Sequence, residues 1–141
     1  PTEISATLEG FKDSTKRRIV ALFQPHLYSR TRDFYVQFGN AFFSCDCLIL
    51  APIYPAREAP LSGISSKMIA DAAIQSGHHK VVLIDDISQI VAKTLSLLEP
   101  EDILITMGAG NIWQYGEEIL AELKKPIDKN IKAKKNSNLE T

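Results

Sequence analysis

The chain has 141 residues, of which 45% are hydrophobic and 23% charged, with a formal net charge of -1. This fits one ordinary globular domain with a sizeable core. It gives no general attraction to nucleic acid or an anionic membrane; no apolar run would span a bilayer, and no signal-peptide pattern opens the chain. A cytoplasmic protein without membrane insertion or a nucleic-acid partner is the expectation.

Pro1-Thr2-Glu3 reads as a helix start, with proline in the first turn and an acid near the positive end of the dipole. Ile4, Leu8 and Phe11 follow at helical spacing and predict one buried face. So abrupt an opening reads as a chain cut from something longer. After the polar stretch Asp13–Lys16, Arg17-Arg18 lead into a strand, Ile19–Phe23. Pro25 must end it, because proline disfavours helical geometry at Gln24 and cannot extend a ladder. His26, Tyr28, Ser29, Arg30 and Thr31 then gather an imidazole, a phenol, two hydroxyls and a guanidinium where a helix begins. Unpaired N–H groups and a full positive charge at one helix start suit an anion.

That helix is expected to run to about Ser44, with Phe34, Phe38 and Phe42 as its core-facing stripe. Cys45 and Cys47, the only cysteines, lack further ligands nearby and read as buried reduced thiols; no metal site is expected. A second strand, Leu48–Ala51, opens into Pro52–Gly63, a loop stiffened by three prolines. Ser65 caps the next helix, with Ile64 and Ile69 as a staple, and Gly77 closes it. His78-His79 reads as a surface pair in a solvated turn. Val81–Ile84 is the third strand; Asp86 with Gln89 resembles a capping box for a helix buried through Ile87, Ile90, Val91, Leu95 and Leu98. Glu99-Pro100 stops it. Ile103–Met107 is the fourth strand, followed by Gly108-Ala109-Gly110 and a helix carrying Ile112, Ile119, Leu120 and Leu123. Residues 1–124 form the expected domain; 125–141, rich in lysine and poor in apolar residues, is an expected disordered tail.

Short apolar strands alternating with helices predict an α/β fold, a Rossmann-like three-layer αβα sandwich with a mainly parallel sheet. Right-handed crossovers bring the polar cluster, the proline loop, Asp85-Asp86 and the glycines to one rim, where such sheets bind ligands. The glycines are not a dinucleotide fingerprint: Trp113 stands where the third glycine belongs, and no later unit supplies a ribose-binding acid. They fit a turn approaching a neighbour or an anion. No GxxxxGK[ST] loop occurs, so this chain alone has no recognisable triphosphate cradle. From spacing alone His26 has two equal readings, a loop-holding residue or a ligand-facing one. Arg30 either pairs with an acid such as Asp33 or shares an anion with the helix N–H groups; a guanidinium opposing the dipole favours the second, and a carboxylate fits its fork.

Three motifs carry a family resemblance: Phe23-Gln24-Pro25-His26-x-Tyr28-Ser29-Arg30-Thr31-Arg32-Asp33; Ile53-Tyr54-Pro55-Ala56-x-Glu58-Ala59-Pro60 with Gly63; and Gly108-Ala109-Gly110-Asn111-Ile112. In that order, and with Pro1-Thr2-Glu3-Ile4 before them, they resemble the C-terminal domain of the UDP-N-acetylmuramate–L-alanine ligases of the Mur ligase family. The resemblance implies an ATP-dependent amide-forming enzyme of peptidoglycan precursor synthesis in bacteria. It implies a UDP-sugar domain and a central ATPase domain outside this chain, the latter holding most of the ATP and Mg2+ site. This chain would then position L-alanine, close over the ATP site, bind no cofactor alone and be inactive in isolation. Arg30 would grip the alanine carboxylate with His26 beside it; Tyr28, Ser29, Thr31, Arg57, Glu58, Gly108, Gly110 and Asn111 are the remaining rim candidates, and no catalytic residue is assigned. Two departures matter. Leu27 stands where many relatives have a second arginine, and Arg57 where glycine is common, which makes Arg57 a candidate source of the missing charge. The alternative from the residues alone is a freestanding Rossmann-like module binding a small anion or nucleotide.

Overall fold

Residues 1–125 are described by a computed structural model of the chain. The expected tail therefore lies, except for Lys125, outside the described residues. In chain order the elements are α1 (Thr2–Ser14), β1 (Ile19–Gln24), α2 (Tyr28–Ala41), β2 (Cys47–Leu50), α3 (Lys67–Gln75), β3 (Val81–Leu83), a 3-10 turn (Ile87–Gln89), α4 (Ile90–Leu97), β4 (Ile103–Gly108) and α5 (Ile112–Lys124).

The four strands make one sheet in the order β3-β2-β1-β4, with every pairing parallel. All six residues of β1 are buried, as a strand covered on both faces requires. Strand alternation sorts the core into two layers. Ile19, Ala21 and Phe23 pack with Leu8 of α1, Phe38 of α2, Phe42 just after α2, and Ile69 of α3. Val20 and Leu22 pack on the other face with Ile90 of α4 and Ile112 and Ile119 of α5. The α/β sandwich read from the sequence is the observed architecture. Cys45 and Cys47 fall on opposite sides of the sheet, so the two thiols cannot act as a pair. Burial pushes the Cys45 thiol up to about 12.

From β1 the chain steps outward through α2 to β2 and through α3 to β3; α4 then returns it across the sheet to β4 on the other flank of β1. The direction of winding reverses between β1 and β4, and helices leave opposite faces there. A crevice must open at that point, at the C-terminal ends of the two strands.

The opposite end of the β1–β4 pair is fastened by charge. Arg18 donates to Asp102 through Nε (3.0 Å) and Nη2 (2.8 Å), and Nη2 also reaches the Leu97 carbonyl at 2.7 Å. Asp102 is nearly buried, and the hydrogen-bonded guanidinium holds its carboxyl below the usual carboxylate range.

Several local expectations are corrected. Phe34 is 43% exposed, whereas Phe38 and Phe42 are buried. Each four-residue step drifts about 40° around a helix, and Phe34 sits one turn nearer the open rim. Phe11, Leu120 and Leu123 are also exposed. Asp86 caps through Ser88 N–H and Oγ rather than through a box with Gln89. His78 is not a surface residue: it is buried, its Nδ1 accepts from Lys80 N–H at 3.2 Å, and its Nε2 lies 3.4 Å from Cys45 Sγ. Burial lowers its pKa and keeps the ring neutral.

Candidate functional site

Three loops meet at the C-terminal rim because backbone hydrogen bonds stitch them together. Beyond β1, Tyr54 N–H donates to the Pro25 carbonyl (2.8 Å) and Leu27 N–H to the Tyr54 carbonyl (2.9 Å), so His26 and Tyr54 form a parallel bridge. Their rings stack with centroids 6.1 Å apart. On the other flank, Gln24 pairs with Gly108, and Ala109 N–H donates to the Gln24 carbonyl at 3.2 Å. Both glycines are required by close approach. At Gly108, with φ 112°, a Cβ would lie 2.1 Å from the Gln24 carbonyl oxygen; at Gly110, with φ 68°, it would lie 2.6 Å from the Tyr54 ring. These glycines serve neighbouring groups of the protein, one of the two uses their sequence allows.

The start of α2 carries an anion already, and it is internal. Glu58 accepts from Ser29 N–H (2.9 Å) and from Ser29 Oγ (2.6 Å). These bonds hold its carboxyl below the usual glutamate range. The proline loop is thereby clamped to the helix that bears Arg30, across 29 positions of sequence. Leu27, immediately before the helix, has φ 67° and ψ 139°, a conformation costly for any side chain with a Cβ. Its carbonyl accepts from Thr31 N–H (3.1 Å) and Thr31 Oγ1 (2.9 Å), so the buried Thr31 braces the turn.

Arg30 does not pair with Asp33; Arg32 does, through Nε at 2.9 Å. The Arg30 guanidinium instead lies 5.9 Å from the Phe34 ring centre and 5.8 Å from that of Phe38. It shares with His26 an open cleft of about 480 Å³ at the β1–β4 junction. Phe23, Phe38, Ile4 and Met107 supply apolar wall; Gln24, Thr106 and Gly108 come from the strand ends, and Glu3 from the first turn of α1. A second cleft, about 490 Å³, opens where Tyr54, Asp85, Asp86, Asn111 and Tyr115 meet. The two share Gln24, a buried residue whose Nε2 donates to the Pro52 carbonyl at 3.1 Å.

The structure thus brings Arg30, His26 and Gly108 into one cleft and sets Asn111 in the other. Tyr28 lines a smaller hollow with Ile53, Ser65 and Asp85. Ser29 and Glu58 bind each other, and exposed Arg57 lines neither large cleft. Glu3, Gln24 and Thr106 are cleft residues that sequence reasoning did not select. Glu3 already had a generic explanation as a first-turn acid, and the other two lie within apolar strands.

A family model described as "Mur ligase, glutamate ligase domain" matches residues 1–110. This chain belongs to the Mur ligase family. Among curated relatives, the UDP-N-acetylmuramate–L-alanine ligase of Geotalea uraniireducens (strain Rf4) is 45% identical over 124 residues, covering 88% of this Mur ligase chain and 27% of the relative. The protein of the same name from Geobacter sulfurreducens is 42% identical over 125 residues, with the same coverage. The chain therefore spans about a quarter of the length of the curated relatives it matches, corresponding to their C-terminal part. Among solved structures, a domain assigned to a UDP-N-acetylmuramate:L-alanyl-gamma-D-glutamyl-medo-diaminopimelate ligase of Haemophilus ducreyi 35000HP aligns with TM-score 0.60. It is 17% identical and covered to 83%, against 87% of this chain, which establishes a common fold.

Proposed function

We propose that this chain is the amino-acid-binding domain of an ATP-dependent ligase that joins L-alanine to UDP-N-acetylmuramate in peptidoglycan precursor synthesis. The observation that carries this reading is the cleft at the winding reversal. There a guanidinium and an imidazole share an open cleft with an apolar wall of Ile4, Phe23, Phe38 and Met107. The names of the relatives support the same substrate pair. Arg30 holds the alanine carboxylate, because a planar fork matches a carboxylate in two places. His26, fixed by its bridge to Tyr54, lines the same space.

The residues of this chain do not by themselves fit ATP or Mg2+. The sequence has no phosphate-cradling loop, and no group of three or more His, Cys, Asp or Glu that could hold a metal occurs among the described residues. In this reading both belong mainly to a central ATPase domain outside the chain, and the UDP-sugar belongs to a further domain. The present domain closes against them, excluding water from the activated carboxyl while the amine attacks. No helix among the described residues is long and apolar enough to cross a membrane; a cytoplasmic site of action is part of the proposal.

Arg30→Lys in the full-length ligase tests it. Lysine keeps the charge but loses the fork, so KM for L-alanine rises roughly tenfold or more while KM for ATP holds. Loss of ATP use with an unchanged alanine KM would assign Arg30 to the nucleotide instead.

A further inference from the structure

We infer that Glu3 is the counter-charge for the α-ammonium group of the amino acid, so that the cleft recognises a zwitterion from both ends. The inference rests on the reading above, that the amino acid occupies the β1–β4 cleft. Glu3 and Arg30 reach this cleft from different elements, the first turn of α1 and the first turn of α2. Neither is in an ion pair within 4.0 Å among the described residues, although six such pairs form elsewhere among them, including the neighbouring Arg32–Asp33 pair. Among the described residues, two opposite charges thus line one crevice without forming an ion pair with each other or with neighbours. The same crevice has an apolar lining of Ile4, Phe23, Phe38 and Met107.

A free α-amino acid with a small aliphatic side chain has that distribution of chemistry: carboxylate, ammonium and a methyl group on one carbon. Arg30 alone would accept any small carboxylate. A carboxylate in the same cleft adds what distinguishes an amino acid from a hydroxy acid, because a charge-assisted hydrogen bond to ammonium is lost when a hydroxyl replaces it. The ordinary role of an acid at a helix start, favourable interaction with the dipole, is compatible with this but makes no distinction among ligands. Glu3 is a substrate-binding residue in this account; it holds the ammonium group and is given no proton-transfer step.

The test uses the full-length ligase with two competitive probes: L-lactate, which keeps the carboxylate and lacks the ammonium, and L-alaninamide, which keeps the ammonium and lacks the carboxylate. Glu3→Gln is expected to raise KM for L-alanine roughly tenfold and to weaken L-alaninamide similarly, with kcat at saturating alanine and inhibition by L-lactate unchanged within about twofold. Glu3→Asp, which keeps the charge, should recover part of the alanine KM. Arg30→Gln should show the reverse selectivity, weakening L-lactate and sparing L-alaninamide. An unchanged alanine KM in Glu3→Gln, or equal losses for both probes, would overturn the assignment of Glu3. If Arg30→Gln affects neither alanine nor L-lactate, the amino acid does not bind in this cleft, and the underlying reading falls with it.

Discussion

Glu58 shows how one side chain can matter to a binding site without touching the ligand. Its carboxylate receives both the N–H and the hydroxyl of Ser29, so it fixes the angle at which α2, and with it Arg30, leaves the rim. A carboxyl with a lowered pKa stabilises the fold above its ordinary range and loses that contribution as pH falls through the folded-state value. Glu58→Gln should therefore lower Tm at neutral pH, and its difference from the parent chain should shrink once the pH drops below the ordinary glutamate range. Thermal melts at stepped pH measure this; a difference independent of pH would mean that the charge is irrelevant to the clamp. At the far end of the same strands, Asp102→Asn leaves the Arg18 fork with half its partner. This change should cost roughly 1.5–3 kcal/mol in urea unfolding, the range for hydrogen bonds to charged groups. Leu27 invites the opposite experiment. Glycine at this position relieves the positive φ but gains freedom in the unfolded chain, so Leu27→Gly should change stability by no more than about 1 kcal/mol.

Among the elements, α2 and α3 pack against each other, and Gly39 lies where their backbones approach closely. A Cβ there would lie 2.6 Å from the Ala72 Cβ and 2.7 Å from the Ala73 nitrogen. Gly39→Ala should destabilise the domain by about 1–3 kcal/mol despite a better helix propensity, because both neighbours are on a helix that cannot yield locally. Strands and helices were legible in the sequence because the local signals agreed: unbroken apolar runs such as Leu48–Leu50 stop at prolines, and helical spacing resumes after them. The rim was legible for the same reason, since right-handed crossovers leave the strand ends little choice. What was not legible depends on contacts distant in sequence. The Glu58–Ser29 clamp needs a loop whose turn includes Ala56 at φ 54°, which no spacing rule indicates. His78 follows a glycine that ends a helix, an ordinary place for a surface residue, and its burial beside the Cys45 thiol depends on a contact 33 positions away in sequence.

As a whole the molecule is a two-faced layer with one winding reversal, and the chemistry collects where the topology leaves space for it. If the proposed division of labour holds, the isolated chain turns over no ATP in the presence of L-alanine and UDP-N-acetylmuramate. A steady release of phosphate would refute that division. The sheet's outer margin has a different consequence. Within the described sheet β4 pairs on one side only, with β1, and Trp113, Leu120 and Leu123 of the following helix are exposed nearby. A six-residue strand whose ladder is open among the described residues, with apolar flanks, is a template for another chain. In concentrated solution, separately produced domains should join edge to edge, so sedimentation will report a mass that climbs with loading; Leu120→Lys, a charge beside the open ladder, should return it to that of a single chain.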